Sequence, residues 1–242
     1  MNRTSLLPIF FLTAITLAEE FTTPWTLELE SGLASTRYNN ARVSKAAGTN
    51  LNLTGFIGKD WRIFGRFSLA YTDRSRGTFK LLVAPFRQSG EGTLPGPASF
   101  AGQIFAPGTA RATYQFDSYR LTYRKPWKGG WSIGGTLKVR VAEIRLEQGT
   151  SVASERNVGF VPLLHVFGEG KISGDFMYEV ELDGLAGGPG RAIDLSLRAK
   201  RQIGRNSNAF VGFRVLEGGA DVPKVKNFAW VSYITAGVSY RF

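Results

Sequence analysis

The 242-residue sequence has no cysteine and only one histidine, His165. Without cysteine the chain can form neither a disulfide framework nor a thiolate metal site, and a single histidine leaves few ligands for zinc, so no metal or other cofactor is expected. No stretch beyond the first eighteen residues reaches the apolar length that a transmembrane helix needs. Acidic residues are also scarce: 30 Lys and Arg face 19 Asp and Glu, and the resulting charge of +11 favours anionic partners.

Glycine and aromatic residues are abundant instead. The 29 glycines make up about 12% of the chain, against a usual ~7%. They accompany 18 Phe, 8 Tyr and 5 Trp, which together favour an all-β chain with many tight turns. The charged and apolar fractions are close to globular averages, which excludes wholesale disorder.

Residues 1–18 have the pattern of a secretory signal peptide. Arg3 supplies a positive start, an apolar run extends from Leu6 to Leu17, and Thr16-Leu17-Ala18 offers a small-x-small cleavage site. The alternative is an N-terminal core helix. The apolar run is too short to span a bilayer as a helix, and no cysteine follows for lipid anchoring. Residues 19–242 are then expected to form one domain.

The rest of the chain alternates apolar and polar residues, the period of a strand with one face of each kind. The alternation predicts a closed antiparallel up-and-down β-barrel of ten strands. These strands are expected at about residues 25–30, 50–57, 61–72, 118–124, 132–141, 158–169, 176–183, 193–200, 211–215 and 228–242.

The connections between the expected strands alternate between short and long. Short turns are expected at 58–60, 125–130, 171–174 and 202–207. The longest loop, residues 73–108, holds four of the ten prolines and is expected on the extracellular side. Its segment Phe79 to Val83 could be an extra strand or a short helix, which leaves twelve strands as the alternative.

Two features favour an apolar face that looks outward, towards lipid, over the inward apolar face of a soluble sandwich. The polar faces carry charged side chains among small Ser, Thr and Gly residues, as a packed and wet interior would. Aromatic residues lie at strand ends, with Trp25 and Trp61 expected at the short-turn end and Tyr71 and Trp230 at the other. Two aromatic rims around an aliphatic band are typical of a membrane barrel, which must close because open edges in lipid leave backbone groups unpaired.

The last strand, residues 236–242, ends in Phe242 with Tyr240 two residues before it and alternating apolar residues upstream. It resembles the assembly signal of bacterial outer-membrane β-barrel proteins. The resemblance implies a location in the Gram-negative outer membrane, insertion by the barrel-assembly machinery, and contact with outer-membrane lipid and lipopolysaccharide. It identifies a class of protein and leaves the activity open.

A ten-stranded barrel is too narrow for an open porin-like channel, so its lumen should be plugged by its own polar groups. Buried charges are tolerated only when paired, which predicts ion-pair networks. His165 is expected near Glu179 and Glu181 or near Arg140, and Glu28 and Glu30 are expected towards Arg241. The predicted lumen network consists of Glu28, Glu30, Arg66, Arg120, Arg140, His165, Glu179, Glu181, Arg198 and Arg214.

Three functions are compatible with such a barrel. The first is a non-enzymatic, plugged or narrow barrel with a structural, binding or small-solute role. The second is a membrane-embedded hydrolase acting on lipid or lipopolysaccharide, with His165 as general base and Ser132 or Ser196 as nucleophile. No G-x-S-x-G surrounds any serine, and a structural role explains His165 equally well. The third is the barrel component of a larger envelope complex.

A basic rim is expected at the long-loop end, where it would suit the phosphates of lipopolysaccharide or draw anionic solutes. Nucleic-acid binding is not expected, because the bases are dispersed and no recognition motif is present. We expect a monomer. The bases of the rim are Arg37, Arg42, Lys45, Arg74, Arg76, Lys80, Arg87, Arg111, Arg191, Lys224 and Lys226.

Overall fold

A computed structural model describes residues 24–44, 46–73, 75–188 and 190–242. The expected signal peptide, residues 1–18, lies outside these ranges. No helix within them is long and apolar enough to cross a membrane. The elements are β1 (Trp25–Val43), β2 (Asn50–Asn52), α1 (Thr54–Ile57), β3 (Arg62–Asp73), β4 (Gly77–Ala84), β5 (Arg87–Leu94), β6 (Ala98–Phe100), β7 (Gln103–Phe105), β8 (Gly108–Pro126), β9 (Trp131–Gln148), β10 (Ser151–Ser173), β11 (Phe176–Gly187), β12 (Gly190–Gln202), β13 (Ser207–Asp221) and β14 (Val225–Arg241).

The long strands form a closed antiparallel barrel of ten strands, which confirms the predicted fold class. The wall runs β1, β3, β4 with β5, and then β8 to β14 in chain order. Pairing of β14 with β1 closes it, so the edge groups of the first and last strands are satisfied by each other. The two extra strands β6 and β7 pair only with each other in the described chain.

The predicted loop at 73–108 is wrong in its first half, which contains a wall strand. β4 and β5 pair with β8 in one register on both sides of Pro85 and Phe86, so together they cross the wall once. Proline has no N–H to donate, which interrupts the ladder at this point. The N–H of Phe86 donates to Asp117 Oδ1 at 3.2 Å instead. The segment Phe79 to Val83, which could have been an extra strand or a short helix, is therefore part of a wall strand, and only the part of the segment after β5 is a loop.

The predicted wall strand at 50–57 is also wrong. Its first residues form β2, a short strand that pairs with the end of β1. The side chain of Asn52 then accepts hydrogen bonds from the N–H and hydroxyl of Thr54, a local pattern that competes with strand pairing. The helical turn α1 follows, and Leu53, Phe56 and Ile57 are buried at the spacing of one helix face. The total of ten wall strands is thus right, but this member is replaced by β4 with β5.

The corrected strands also change which end of the barrel some aromatic residues occupy. We call the end with connections 74–76, 127–130, 174–175 and 203–206 the turn end, and the opposite end the loop end. Trp25 and Tyr71 meet at the turn end, with ring centroids 5.1 Å apart. Trp61 directly precedes β3 at the loop end. The expected ends of Tyr71 and Trp61 were therefore wrong, because the expected turn at 58–60 belongs to the loop end.

The outer face of the wall is apolar, as β14 illustrates. Ile234 and Val238 are 52% and 46% exposed, whereas Thr235 and Ser239, which point inward, are 1% and 3% exposed. Trp230 and Tyr240 bound this stretch on the same outward face. Because about ten residues separate them, at ~3.3 Å per residue and a ~40° tilt, the apolar band is roughly 25 Å tall. This is the height of the band that crosses an outer membrane.

An apolar cap covers the lumen at the loop end. It is built from α1, β2, β6 and β7, which pack against the inner faces of the long wall strands. Fully buried side chains at this contact include Leu53, Ile57, Phe100 and Phe105 of the cap and Leu146 of the wall strand β9. Burial of these groups removes apolar surface from water and stabilises the cap at about 25 cal/mol per Å². The loop end is consequently closed from above.

The wall has a gap between β10 and β11, and the ladder between β3 and β4 also ends before β3 does, at Phe67–Val83. The β10–β11 ladder ends at the pair Leu164–Gly184, although both strands continue towards the loop end. Pro162 lies in the part of β10 that pairs with β9 but not with β11, opposite the end of β11. Since proline cannot donate to a ladder, the two strands separate here. We call this opening, between residues 161–163 and 185–187, the wall gap.

Candidate functional site

The lumen is crossed by a set of ion pairs, which we call the ionic layer. Its side chains project inward from seven of the ten wall strands, because inward positions recur at every second residue. Most of them are less than a tenth exposed. The ionic layer consists of Glu28, Glu30, Arg66, Lys80, Arg120, Glu179, Glu181, Asp183, Asp194, Arg198, Lys200 and Arg214.

Arg198 is the centre of one half of the ionic layer. Its Nη1 donates to Glu28 Oε1 at 2.9 Å and to Glu179 Oε1 at 3.0 Å, and its Nη2 donates to Glu30. Glu30 also accepts from Arg66 Nη1 at 3.1 Å. These five side chains are held by strands β1, β3, β11 and β12, on opposite sides of the lumen. One guanidinium therefore connects strands that are far apart in the wall.

The other half is organised around two aspartates. Asp194 accepts from Arg214 Nε at 2.6 Å and from Arg120. Asp183 accepts from Arg120 Nη1 at 2.8 Å and pairs with His165 Nδ1 at 2.8 Å. Each carboxylate is thus shared between at least two partners. Such sharing is required, because an isolated buried charge costs several kcal/mol.

Cavities lie on either side of the ionic layer. A polar vestibule of about 470 Å³ opens at the turn end, where Glu28, Lys80, Arg124 and Lys200 line it. A second cavity of about 450 Å³ lies towards the loop end. A small void of about 10 Å³ lies beside the layer, next to Arg66 and Arg214. The ionic layer therefore lies between the vestibule and the second cavity.

We call the loop-end cavity the upper chamber. It lies beneath the apolar cap, and the wall gap opens into it. Most of its inward-facing side chains are apolar or aromatic. Its lining includes Phe86, Tyr114, Phe116, Val161, Leu185, Ala192, Leu216, Ala229 and Val231.

Two cations interrupt this apolar lining. Lys138 and Arg140 project into the upper chamber from neighbouring inward positions of β9. Lys138 Nζ lies 4.7 Å from the ring centroid of Phe116, and Arg140 Nη2 donates to Asn157 Oδ1 at 2.7 Å. Neither forms an ion pair with any residue that the structure describes. The chamber thus combines a mostly apolar lining with two cations that have no ion-pair partner among the described residues.

Comparison with solved structures identifies the architecture. The outer membrane protease OmpT from Escherichia coli has a TM-score of 0.54 and 9% sequence identity, covering 94% of this chain and 99% of that one. This chain has the fold of an outer-membrane β-barrel. Ail, the attachment invasion locus protein of Yersinia pestis, gives a TM-score of 0.39 at 8% identity over 90% of this chain and 99% of that one. Neisserial surface protein A gives 0.36 at 11% identity over 91% and 98%.

No protein-family model matches the chain, and no curated protein sequence does either. At 9% identity the similarity to the protease concerns the fold alone. The role of this barrel must therefore be argued from its own side chains.

The structure places all ten residues of the predicted lumen network on the inner side of the wall. Nine of them lie in the ionic layer or contact it, whereas Arg140 lies apart, in the upper chamber. Sequence reasoning did not include Lys80, Lys138, Asp183, Asp194 and Lys200. The alternation that places Glu179 and Glu181 inside continues to Asp183, so this residue could have been found from the same pattern. Lys80 was missed because its strand was assigned to a loop.

Two of the expected neighbour relations are wrong. Arg140 lies opposite Gly159 on β10, six residues from His165, and so does not contact it. Arg241 lies opposite Thr26 and is exposed, while Glu28 and Glu30 bind Arg198 instead. Glu181, by contrast, is close to His165, with side-chain ligand atoms within 4.8 Å. The errors follow from strand stagger, which the sequence does not display.

His165 has an acidic partner but no nucleophile. Its Nδ1 bonds to Asp183, and its Nε2 has no hydrogen-bond partner in the described chain. Ser196 Oγ is likewise without a partner there, and Ser132 lies opposite Phe167 at the vestibule. The imidazole is 1% exposed. The arrangement holds the ring within the ionic layer and gives the hydrolase hypothesis no assembled serine–histidine pair.

His165, Glu181 and Asp183 form a group with the compactness of a metal site. Both carboxylates already have cationic partners, however: Lys80 Nζ lies 2.9 Å from Glu181, and Arg120 lies 2.8 Å from Asp183. A metal ion would have to displace these cations or lie beside them at unfavourable electrostatic cost. The group is therefore better explained as part of the ionic layer.

The expected basic rim is only partly at the loop end. Arg37, Arg42, Arg87, Arg111, Arg191, Lys224 and Lys226 belong to that end, Lys80 lies in the lumen, Arg76 lies at the turn end, and Lys45 and Arg74 lie outside the described residues. The turn end has exposed bases of its own, among them Lys128, Arg201 and Arg205.

At the turn end, hydrogen bonds from the side chain of Ser75 and the backbone of Arg76 hold the pKa of Asp73 below its usual value.

Proposed function

We propose that the chain is an integral outer-membrane barrel that is closed to solutes and works as a binding or structural protein, without catalysis. The observation that carries the proposal is the ionic layer, which separates the vestibule from the upper chamber. Its location is supported by the outward apolar band and by the barrel fold. An ion crossing this lumen would have to break buried pairs, which costs several kcal/mol.

Planar-bilayer recordings test whether the barrel is closed. We expect the wild-type protein to insert without producing stable unitary conductance. The triple variant Arg120→Ser, Asp194→Ser, Arg214→Ser removes one carboxylate together with both of its guanidinium partners and should conduct. A matched control, Asp175→Ser, Arg201→Ser, Arg205→Ser, removes the same types of charge at the turn end and should remain silent. Stable unitary conductance of the wild type would overturn the proposal.

Lipopolysaccharide remains the proposed partner of the outer surface. At the loop end, Arg191 stacks on Phe228 with 4.8 Å between its Cζ and the ring centroid, and Arg37 stacks on Trp61 at 5.1 Å. Guanidinium groups held beside an aromatic rim are suited to lipid phosphates. Because the turn end also has exposed bases, positive charge alone does not distinguish the outer side of the barrel from the inner side.

The hydrolase hypothesis rests on the 2.8 Å contact between His165 and Asp183. A general base must reach the proton that it removes, and this ring is buried within the ionic layer. The variant His165→Asn tests the hypothesis directly. We expect cells that carry only this variant to keep an unaltered lipid and lipopolysaccharide profile. A changed profile, with the variant barrel folded to the same level, would favour the enzyme.

A further inference from the structure

The wall gap is a built feature of the barrel. β10 and β11 both extend beyond their last pair, Leu164–Gly184, by residues that face each other without forming a ladder. In a bilayer, unpaired backbone groups are costly, and such an opening persists only where something compensates for it. Pro162 lowers this cost because it has no N–H to leave unsatisfied.

The gap connects the apolar exterior with the upper chamber. Val161 and Pro162 on one side and Leu185 and Gly187 on the other all line the chamber. On the outward side the opening is flanked by Phe160 and Leu164, which are 72% and 67% exposed. The path through the wall is therefore apolar from end to end. A hydrocarbon chain could follow it without entering water.

The chamber ends at two cations that lack anionic partners. Lys138 is 3% exposed and makes no hydrogen bond or ion pair with a described residue. The Nε of Arg140 is also without a partner in the described chain. Glu217, a carboxylate among the lining residues, accepts hydrogen bonds from Arg191 and Tyr38 and is thus already engaged. Buried cations are normally paired, so this site lacks an anion.

We propose that the upper chamber binds an amphiphile with a single acyl chain and an anionic head group, a carboxylate or a phosphate, that enters from the membrane through the wall gap. The inference rests on the proposed membrane location. The head group binds Lys138 and Arg140, and the chain lies between Val161 and Leu185 with its end in the wall gap. The volume of about 450 Å³ is within the range of small-ligand pockets.

Photolabelling of the full-length protein in liposomes tests this site. The probe is a long-chain fatty acid with a diazirine near its methyl end, and labelled residues are mapped by mass spectrometry. We expect saturable labelling near residues 159–163 and 185–187. Oleate and oleoyl lysophosphatidate, which share the chain but differ in the head group, should compete. Whichever competes more strongly identifies the head group, while methyl oleate should not compete.

Two pairs of variants separate the site from general lipid contact. Lys138→Met should weaken probe binding by about tenfold or more, because a charge-assisted hydrogen bond is lost. Lys128→Met at the turn end should leave binding unchanged. Leu185→Trp should block the chamber, whereas Leu197→Trp, a similarly exposed leucine on the outer face, should not.

The outcomes distinguish this proposal from the closed barrel. Labelling confined to the outer apolar band, or equal competition by methyl oleate, would overturn the amphiphile site even if every variant failed to fold, because both results come from the wild-type protein. If the wild type shows no unitary conductance and labelling is confined to the outer apolar band, the amphiphile site is wrong but the proposal of a closed barrel stands. Unitary conductance of the wild type would overturn the closed barrel, whether or not the chamber is labelled.

Discussion

Arg198 shows how single residues hold this barrel together. Its guanidinium binds Glu28, Glu30 and Glu179, which come from the first and the eleventh strands of the chain. Glu30 and Glu179 have further cationic partners in Arg66 and Lys200. Glu28 has no other ion-pair partner among the described residues. Loss of Arg198 should therefore leave Glu28, which lines the vestibule, without an ion pair, and remove one cationic partner from each of two buried carboxylates.

Arg198→Met should accordingly lower the free energy of unfolding by about 3–5 kcal/mol, the range for breaking a buried pair. Urea unfolding in lipid vesicles, followed by tryptophan fluorescence, measures the effect. Arg201→Met, on the same strand but exposed, serves as the control and should change the value by less than about 1 kcal/mol. Equal losses in both variants would mean that the ion pairs of Arg198 do not stabilise the barrel.

Removing His165 should destabilise the barrel less than removing Arg198. Asp183 retains Arg120 and Thr136 when the imidazole is removed, so no charge is left alone. His165→Asn should therefore cost only about 1–3 kcal/mol, from one lost hydrogen bond and a small void. The same unfolding measurement tests this. A loss as large as that of Arg198→Met would show that His165 is a central member of the ionic layer.

At the scale of elements, the strand assignments were wrong where local features interrupt a ladder, as Pro85 does between β4 and β5. Alternation, with the hydrophobicity of residues 158–169, located nine of the ten wall strands, because most of them keep one apolar and one polar face. The segment Phe79 to Val83, left open as an extra strand, lies in β4, but its continuation past Pro85 into β5 was not predicted. The alternation of residues 50–57 made β2 and the helical turn α1 look like one strand. These outcomes depend on competition between local hydrogen bonds and the ladder, which residue period does not reveal.

The ionic layer was foreseeable in composition but not in its pairs. Period two predicts which charges face inward, yet partners such as Arg198 and Glu28 lie 170 positions apart in sequence. Their contact depends on strand stagger around the closed wall. The upper chamber was not predicted, since it results from the short β11–β12 hairpin beside the tall β9–β10 hairpin.

Pro162 offers a test of the wall gap at this scale. Pro162→Val restores an N–H and a β-branched side chain, which should allow β10 and β11 to pair further towards the loop end. Among residues 185–187, which also pair with β12, exchange of the backbone amides that face β10 should slow by at least about tenfold. Leu163→Val, beside it on the same strand, restores no donor and should leave exchange unchanged. Slow exchange of the β10-facing amides already in the wild type would contradict an open gap.

The whole molecule is a barrel with the polarity of a soluble protein reversed. Apolar side chains cover the outer surface of its wall, and charged side chains fill its lumen. The arrangement makes sense only if the surrounding solvent is hydrocarbon, because in water the buried charges would cost free energy with no gain from the outer face. The proposed membrane location, the closed lumen and the amphiphile site all depend on this reversal.

Spin-label accessibility along β14 tests that reversal most directly. Since the chain has no cysteine, single cysteines can be placed at successive positions from Ile234 to Ser239 and labelled in liposomes. We predict strong collisions with oxygen, which partitions into lipid, at residues 234, 236 and 238, and weak collisions with oxygen and with a water-soluble nickel chelate at 235, 237 and 239. Nickel accessibility at 234, 236 and 238 would contradict the account, because it would place the apolar face in water.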